Sequence, residues 1–369
     1  MIVYILLFMS IIVGRIIFTR SKIKVYTLDS EIPITKNFGV LVYCIVIGIL
    51  LYLLVALRSV YLGVNDTLNV YYPAFNVANL GSWSNAIDNF KQMGHIFALI
   101  TKFLTIFTGT NYRYYLMIIS IPYIYSVCYV IYKYSDEYLL SFIAFVSMFY
   151  LYSFYLIRQM VAVSILLLSL KYVYNKKIVK FLLLVFIATL IHETAICFII
   201  AYPAAHLLKA DKKNYIIIIS TYFISKLAPN VAYFFMSDRL RGYTENGIYD
   251  TSGSISIFPM LIYIVILLFT SYSKANKTYE GKILFNIVTL GAAIYPFANV
   301  ISDTYRLTIY FGIFSILLIS KAISNISDRR NKVISYSMIF LFYVIYFFTR
   351  TVINMNAIPY EFFWNSGFV

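Results

Sequence analysis

Four short stretches set ionisable side chains against long apolar runs. The first reads Leu57-Arg58-Ser59-Val60-Tyr61-Leu62-Gly63-Val64-Asn65-Asp66 and continues to Tyr71-Tyr72-Pro73. The second is Ile157-Arg158-Gln159-Met160, and the third is Ile191-His192-Glu193-Thr194-Ala195. The fourth is Asp303-Thr304-Tyr305-Arg306-Leu307. Placing a charge this deep in apolar sequence costs about 2.5–3.5 kcal/mol on insertion scales, so such residues usually face a cavity and act there. The simpler use is an internal ion pair, for example Arg158 with Asp66 or Glu193, and a paired Arg can still hold a ligand. An Arg fork binds phosphate or carboxylate bidentately. An imidazole or carboxylate at His192, Glu193 or Asp66 can accept the proton of an attacking hydroxyl. The rings of Tyr71, Tyr72 and Trp83 can stack on sugars.

Together these groups suit transfer onto a hydroxyl beside a lipid-linked pyrophosphate, with Arg neutralising charge on the leaving group. No nucleotide-binding GxGxxG or GxxxxGK[ST], no HExxH and no GxSxG occurs. The three His residues, His95, His192 and His206, are scattered, so neither a metal nor another cofactor is expected. Cys44, Cys128 and Cys197 lie in apolar runs without CxxC spacing and read as small buried hydrophobes.

The elements that position these groups must be membrane helices. Of 369 residues, 62% are hydrophobic and 12% charged, against about 25% charged in a soluble domain. Mean hydropathy is +0.81. This excludes a cytosolic enzyme, a secreted disulfide scaffold and a disordered chain. The 37 Tyr and 31 Phe supply most of an aromatic fraction suited to bilayer interfaces. Runs between charge clusters predict about twelve spans, at 2–18, 38–57, 112–132, 138–156, 160–174, 178–191, 194–208, 214–228, 257–272, 283–300, 305–320 and 333–349. Segment 94–108, which carries Lys102, is read as re-entrant or interfacial. The fold class is therefore all-α, a polytopic transmembrane bundle. Residues 1–369 form a single integral membrane domain, with outer loops 58–93 and 229–256. The charges of the first span follow its apolar run, at Arg15, Arg20, Lys22 and Lys24, which predicts a retained span with its N-terminus outside.

Twenty of the 30 Lys and Arg fall in the loops this assignment places in the cytoplasm, in keeping with the positive-inside rule. Only four of those twenty are Arg, whereas seven of the other ten are: Arg58, Arg113, Arg158, Arg239, Arg241, Arg306 and Arg350. An outward excess of Arg over Lys predicts an anionic ligand at the outer face. Arg113 reads as an ordinary interface cation. Arg158 and His192 are expected at the tips of tight helical hairpins, where unpaired helix ends are tolerated if they line a polar cavity.

The ordered set Arg58…Gly63…Asp66…Tyr71, Arg158-Gln159 with Ala162, His192 with Thr194-Ala195, and Arg306 with Tyr310-Phe311 resembles the EpsG family, itself similar to Wzy-type polymerases of O-antigen, capsule and exopolysaccharide. The resemblance covers roughly 38–320. It implies a glycosyltransferase-C-like membrane fold in the bacterial cytoplasmic (inner) membrane. It also implies an enzyme that joins undecaprenyl-pyrophosphate-linked repeat units at the outer face. Partners implied are the lipid-linked glycan, the bilayer, a chain-length regulator and a flippase, with no nucleic acid. Gln92-Met93-Gly94-His95 departs from relatives, which often carry an acid where this chain has Gln92, so this stretch is given no catalytic role.

On this reading His192 is the first choice of general base and Asp66 the second. Arg158 and Arg306 hold the pyrophosphate, with Arg58 as a third. Tyr71, Arg239 and Arg241 bind substrate, the last two from a Gly/Ser-containing loop that also has Tyr243 and Glu245. Two other classes stay open. A flippase for the same lipid-linked sugar would carry cations along a central path, whereas here they gather at outer ends. A membrane O-acyltransferase would need an inward-facing His, and His206 is the one candidate.

Overall fold

The computed structural model describes residues 1–18, 24–27, 34–63, 66–89, 94–227, 257–299 and 304–365. Loop 229–256, with Arg239 and Arg241, lies outside them, as does Asp303. Apart from one antiparallel hairpin, Lys24–Thr27 paired with Ile34–Asn37, the elements are helical. Six helices among the described residues are long and apolar enough to cross a membrane: Phe38–Ala56, Tyr112–Tyr134, Ile157–Tyr174, Tyr279–Ala298, Thr304–Ser324 and Arg329–Asn354. Six more apolar helices are shorter, including Ile2–Phe18, Tyr138–Met148 and Ile178–Ile191.

The chain divides into two compact units. The first comprises Met1–Leu168, Phe186–Glu193 and Ile334–Val369. Small residues let its helices approach closely, as expected inside a membrane. A Cβ on Gly14 would lie 3.3 Å from the Tyr43 ring, and one on Gly48 would lie 3.0 Å from Cys128 Sγ. The Tyr43 hydroxyl then donates to Ile11 O at 3.0 Å. Large apolar side chains such as Leu6, Ile16, Ile45, Ile49 and Ile121 face outward, an arrangement that water would penalise and lipid favours.

Much of stretch 58–93, expected as an outer loop, is helical among its described residues. It carries a π-helical turn, Thr67–Tyr71, followed by helices Tyr72–Leu80 and Trp83–Asn89. Phe75, Ala78 and Ala86 are its buried anchors, and both helices pack on His95–Thr108. Lys102 is explained by this packing. Its Nζ donates to Gly81 O at 2.8 Å and so caps the end of Tyr72–Leu80. The polar composition of 58–93 hid two short helices that bury only a narrow stripe.

The second unit comprises Ser169–Val185 and Thr194–Val333. Helix Tyr279–Ile294 runs through it, packed by Ala201–Leu207, Lys212–Leu227, Phe258–Tyr272, Thr304–Gly312 and Ser315–Ser324. Its interior is knit by amides. Asn214 Nδ2 donates to Asn286 Oδ1 at 2.9 Å and to Thr289 Oγ1 at 3.1 Å, while Asn286 Nδ2 donates to Leu208 O at 3.0 Å. In an apolar surround each unsatisfied polar group would be costly, so the network is closed on itself. Lys321 pairs with Glu280, and Asn325 Nδ2 donates to Ser273 O. Residue 312 has no room for a side chain, because a Cβ there would meet the Tyr263 hydroxyl.

Candidate active site

In the first unit, helix Tyr138–Met148 ends, a 3₁₀ turn follows at Tyr150–Phe154, and a new helix starts at Ile157. A break among apolar helices strands backbone carbonyls, and each needs a donor. Thr351 Oγ1 donates to Ser147 O at 2.7 Å, and the Tyr123 hydroxyl donates to Phe149 O at 3.3 Å. Phe154 O takes two donors, Arg58 Nη2 at 2.6 Å and Thr67 Oγ1 at 2.7 Å. Polar side chains from distant segments therefore converge on this break.

Arg158 stands on the first turn beyond the break, partly buried. Its backbone N–H donates to the Tyr71 hydroxyl at 3.2 Å. The Tyr71 ring is itself set edge-on against Phe97, centroids 6.1 Å apart. The Arg158 guanidinium reaches Gly94, where a Cβ would lie 3.8 Å from Nη1. Gly94 has φ +77°, a left-handed conformation that glycine adopts without strain. The structure thus brings Tyr71, Gly94 and Arg158 together from three separate stretches. Gly94 belongs to the stretch that sequence reasoning left without a role, and the only available signal there was the glycine itself. Asp66, partly buried, directly precedes Thr67 and the π turn.

Arg58 has a different environment from the one its motif suggests. It is 1% exposed. Nη1 donates to Val55 O at 2.5 Å, Nη2 donates to Phe154 O, and the guanidinium lies 5.1 Å from the Phe154 ring centroid. Burial pushes its pKa down from the usual guanidinium value, and the hydroxyls of Tyr112, Tyr360, Tyr150 and Tyr4 surround it. Each of those tyrosines in turn donates to a backbone carbonyl: Thr67 O, Leu54 O, Leu51 O and Ala357 O. The C-terminal stretch closes over this junction. Ser59 N donates to Glu361 O at 2.8 Å and Phe363 N to Leu57 O at 3.0 Å. Arg113 is not an interface cation. It is buried, donates from Nη1 to Arg58 O at 2.9 Å and lies 3.7 Å over the Phe363 ring.

His192 follows helix Ile178–Ile191 and is partly buried. Its N–H donates to Ala188 O at 2.9 Å, ending that helix, and a 3₁₀ segment, Glu193–Ile200, begins at the next residue. A helical break therefore does sit at His192.

The second unit holds Arg306, partly buried, with Nε donating to the Tyr305 hydroxyl at 3.3 Å. Tyr310 stands one turn further along the same helix, and its hydroxyl shares a 3.0 Å hydrogen bond with Thr194 Oγ1. Phe311 packs on Phe198, centroids 5.4 Å apart. Two motifs far apart in sequence, Thr194-Ala195 and Arg306…Tyr310-Phe311, thus meet within this unit. Among the described residues no three His, Cys, Asp or Glu side chains gather into a metal-binding group, and Cys44, Cys128 and Cys197 are free thiols.

Comparison with the curated proteins and with the solved structures gave no match. The model of the EpsG family matches residues 40–362, a range that takes in the break at Arg158, the His192 segment, the Thr194–Tyr310 contact and the C-terminal stretch up to Phe362, and the chain belongs to the EpsG family.

Proposed function

We propose that the protein is a polysaccharide polymerase that joins undecaprenyl-pyrophosphate-linked repeat units at the outer face of a bacterial cytoplasmic membrane. Family membership supports membrane-bound polysaccharide biosynthesis. The six helices long and apolar enough to cross a membrane, with shorter apolar helices beside them, support a multi-pass chain; about twelve crossings in a glycosyltransferase-C-like arrangement are what the hydropathy pattern and the resemblance imply.

The observation that carries the reading is the Arg158 corner. A helix starts at a break, its first-turn N–H is held by Tyr71, and the guanidinium lies against Gly94, where an added Cβ would stand 3.8 Å from Nη1. That arrangement suits a pyrophosphate. Arg158 binds it and neutralises the charge that grows as the anomeric C–O bond to phosphate breaks. The acceptor hydroxyl oxygen bonds to the anomeric carbon. His192 takes its proton, with Asp66 as the alternative acceptor. Polyprenyl pyrophosphate leaves. Arg306, Arg239 and Arg241 keep the roles their sequence context suggests, pyrophosphate binding for the first and glycan binding for the loop pair.

The test is gel analysis of surface polysaccharide from a strain lacking the protein. Loss of the long ladder with retention of one-unit material is expected. Loss of all exported glycan would identify a flippase instead, and a full ladder lacking only acyl groups would identify an acyltransferase.

A further inference from the structure

The Phe154 carbonyl lies at the end of the 3₁₀ turn, four residues before Arg158. Arg58 Nη2 and Thr67 Oγ1 both donate to it, which uses both of its lone pairs. Thr67 opens the π turn, and the last residue of that turn, Tyr71, accepts from the Arg158 N–H. The last carbonyl of the 3₁₀ turn and an amide in the first turn of the next helix are therefore both held by one five-residue segment, Thr67–Tyr71. Arg58 anchors the arrangement from below: one fork nitrogen on Val55 O, the other on Phe154 O, and its own carbonyl gripped by Arg113. A guanidinium enclosed to 1% exposure presents no face to a ligand.

We propose that Arg58 and Thr67 are positioning residues for Arg158. By fixing the Phe154 carbonyl they set where helix Ile157–Tyr174 begins, and so keep the Arg158 guanidinium beside Gly94. This replaces a direct phosphate contact for Arg58, and it rests on the reading of Arg158 as a pyrophosphate ligand. Arg58 reaches Val55 O and Phe154 O through two different nitrogens of one planar fork, a geometry that the compact ammonium of Lys does not reproduce.

The test uses full-length protein in membranes, with Cys44, Cys128 and Cys197 replaced by Ala. A reporter thiol is introduced by Arg158→Cys, and its rate of reaction with a water-soluble maleimide is measured. Thr67→Val, which keeps the shape and removes the hydroxyl, and Arg58→Lys are each expected to change that rate by about three- to tenfold, the size of one lost hydrogen bond. Thr67→Ser restores the donor and is expected to match the parent. A control thiol from Tyr114→Cys, at an exposed position, is expected to react alike in all backgrounds. With Arg158 intact, Thr67→Val is expected to lose most polymer and Thr67→Ser to regain it. Rates at position 158 that are equal in every background would overturn the proposal. So would a thiol there that no variant lets react, since a pyrophosphate ligand must be reachable from water. Loss of polymer in Arg58→Lys with an unchanged rate would overturn it in favour of direct substrate contact. A changed rate, in a protein whose deletion leaves the polysaccharide ladder whole, would uphold the positioning and remove the polymerase reading.

Discussion

Tyr71 and Arg158, 87 residues apart, are joined by a hydrogen bond from the Arg158 backbone N–H to the Tyr71 hydroxyl at 3.2 Å. First-turn amides of a helix have no partner within the helix, and a break among apolar helices cannot count on water to supply one. The tyrosine therefore completes the start of the helix that carries the cation. Its part in the site is to hold the backbone of Arg158, beyond any stacking on sugar.

Tyr71→Phe removes that acceptor and keeps the ring against Phe97. A neutral hydrogen bond contributes about 0.5–1.5 kcal/mol net, so polymer formation is expected to fall by roughly two- to tenfold while the protein still inserts. Ladder intensity at matched membrane protein level measures it. Unchanged polymer would leave Tyr71 without a role in holding the helix start.

Gly94→Ala tests the floor beneath Arg158. At φ +77° a side chain is strained, at roughly 1–2 kcal/mol, and the added methyl would stand 3.8 Å from Arg158 Nη1. Reduced polymer with a small loss of thermal stability is expected. A variant with normal polymer would show that the space beside Arg158 is not used by substrate.

The apolar helices were legible from hydropathy because a bilayer leaves the chain few other solutions. The Arg158 and His192 breaks were legible too, since a charge flanked on both sides by apolar runs has to be explained locally. What sequence concealed was partnership. Arg58 shares its pattern of flanking residues with Arg158, yet one is sealed among tyrosines and carbonyls and the other faces a glycine. Nothing in residues 57–66 tells these cases apart, because the deciding atoms belong to Phe154, Tyr360 and the C-terminal stretch. Within that stretch, the backbone of Glu361 and Phe363 pairs with Ser59 and Leu57.

Phe363→Ala tests the tail. It removes the ring under the Arg113 guanidinium, a contact of about 0.5–2 kcal/mol in partly desolvated surroundings. The expected outcome is a lower melting temperature for the detergent-solubilised protein. Arg113→Lys should be similarly harmful, because Lys cannot both reach Arg58 O and lie flat on the ring. A melting temperature unchanged in both variants would mean that the C-terminal stretch does not brace the junction.

Arg158→Lys keeps the charge and loses the fork. If the guanidinium binds pyrophosphate through two parallel hydrogen bonds, polymer should drop strongly at constant membrane level. If Arg158 only balances a nearby acid, Lys should largely replace it. Its backbone bond to Tyr71 is untouched in either case, so the comparison isolates the side chain. Near-normal polymer from the Lys variant would remove Arg158 from the clamp.

His192 sits where helix Ile178–Ile191 ends and a 3₁₀ segment begins, with its N–H already committed to Ala188 O. A neutral imidazole can take a proton as the glycosidic bond forms. Removing a general base typically costs about 10²–10⁴-fold. His192→Ala is expected to give an inserted, stable protein that binds lipid-linked repeat unit and makes little polymer. His192→Gln keeps a hydrogen-bonding group of similar reach but no titratable base, so it is expected to fail as well. The Gln variant separates chemistry from structure: if it made a normal ladder of chain lengths, His192 would be holding the break through a hydrogen bond, and Asp66, at the head of the π turn, would become the proton acceptor to test next.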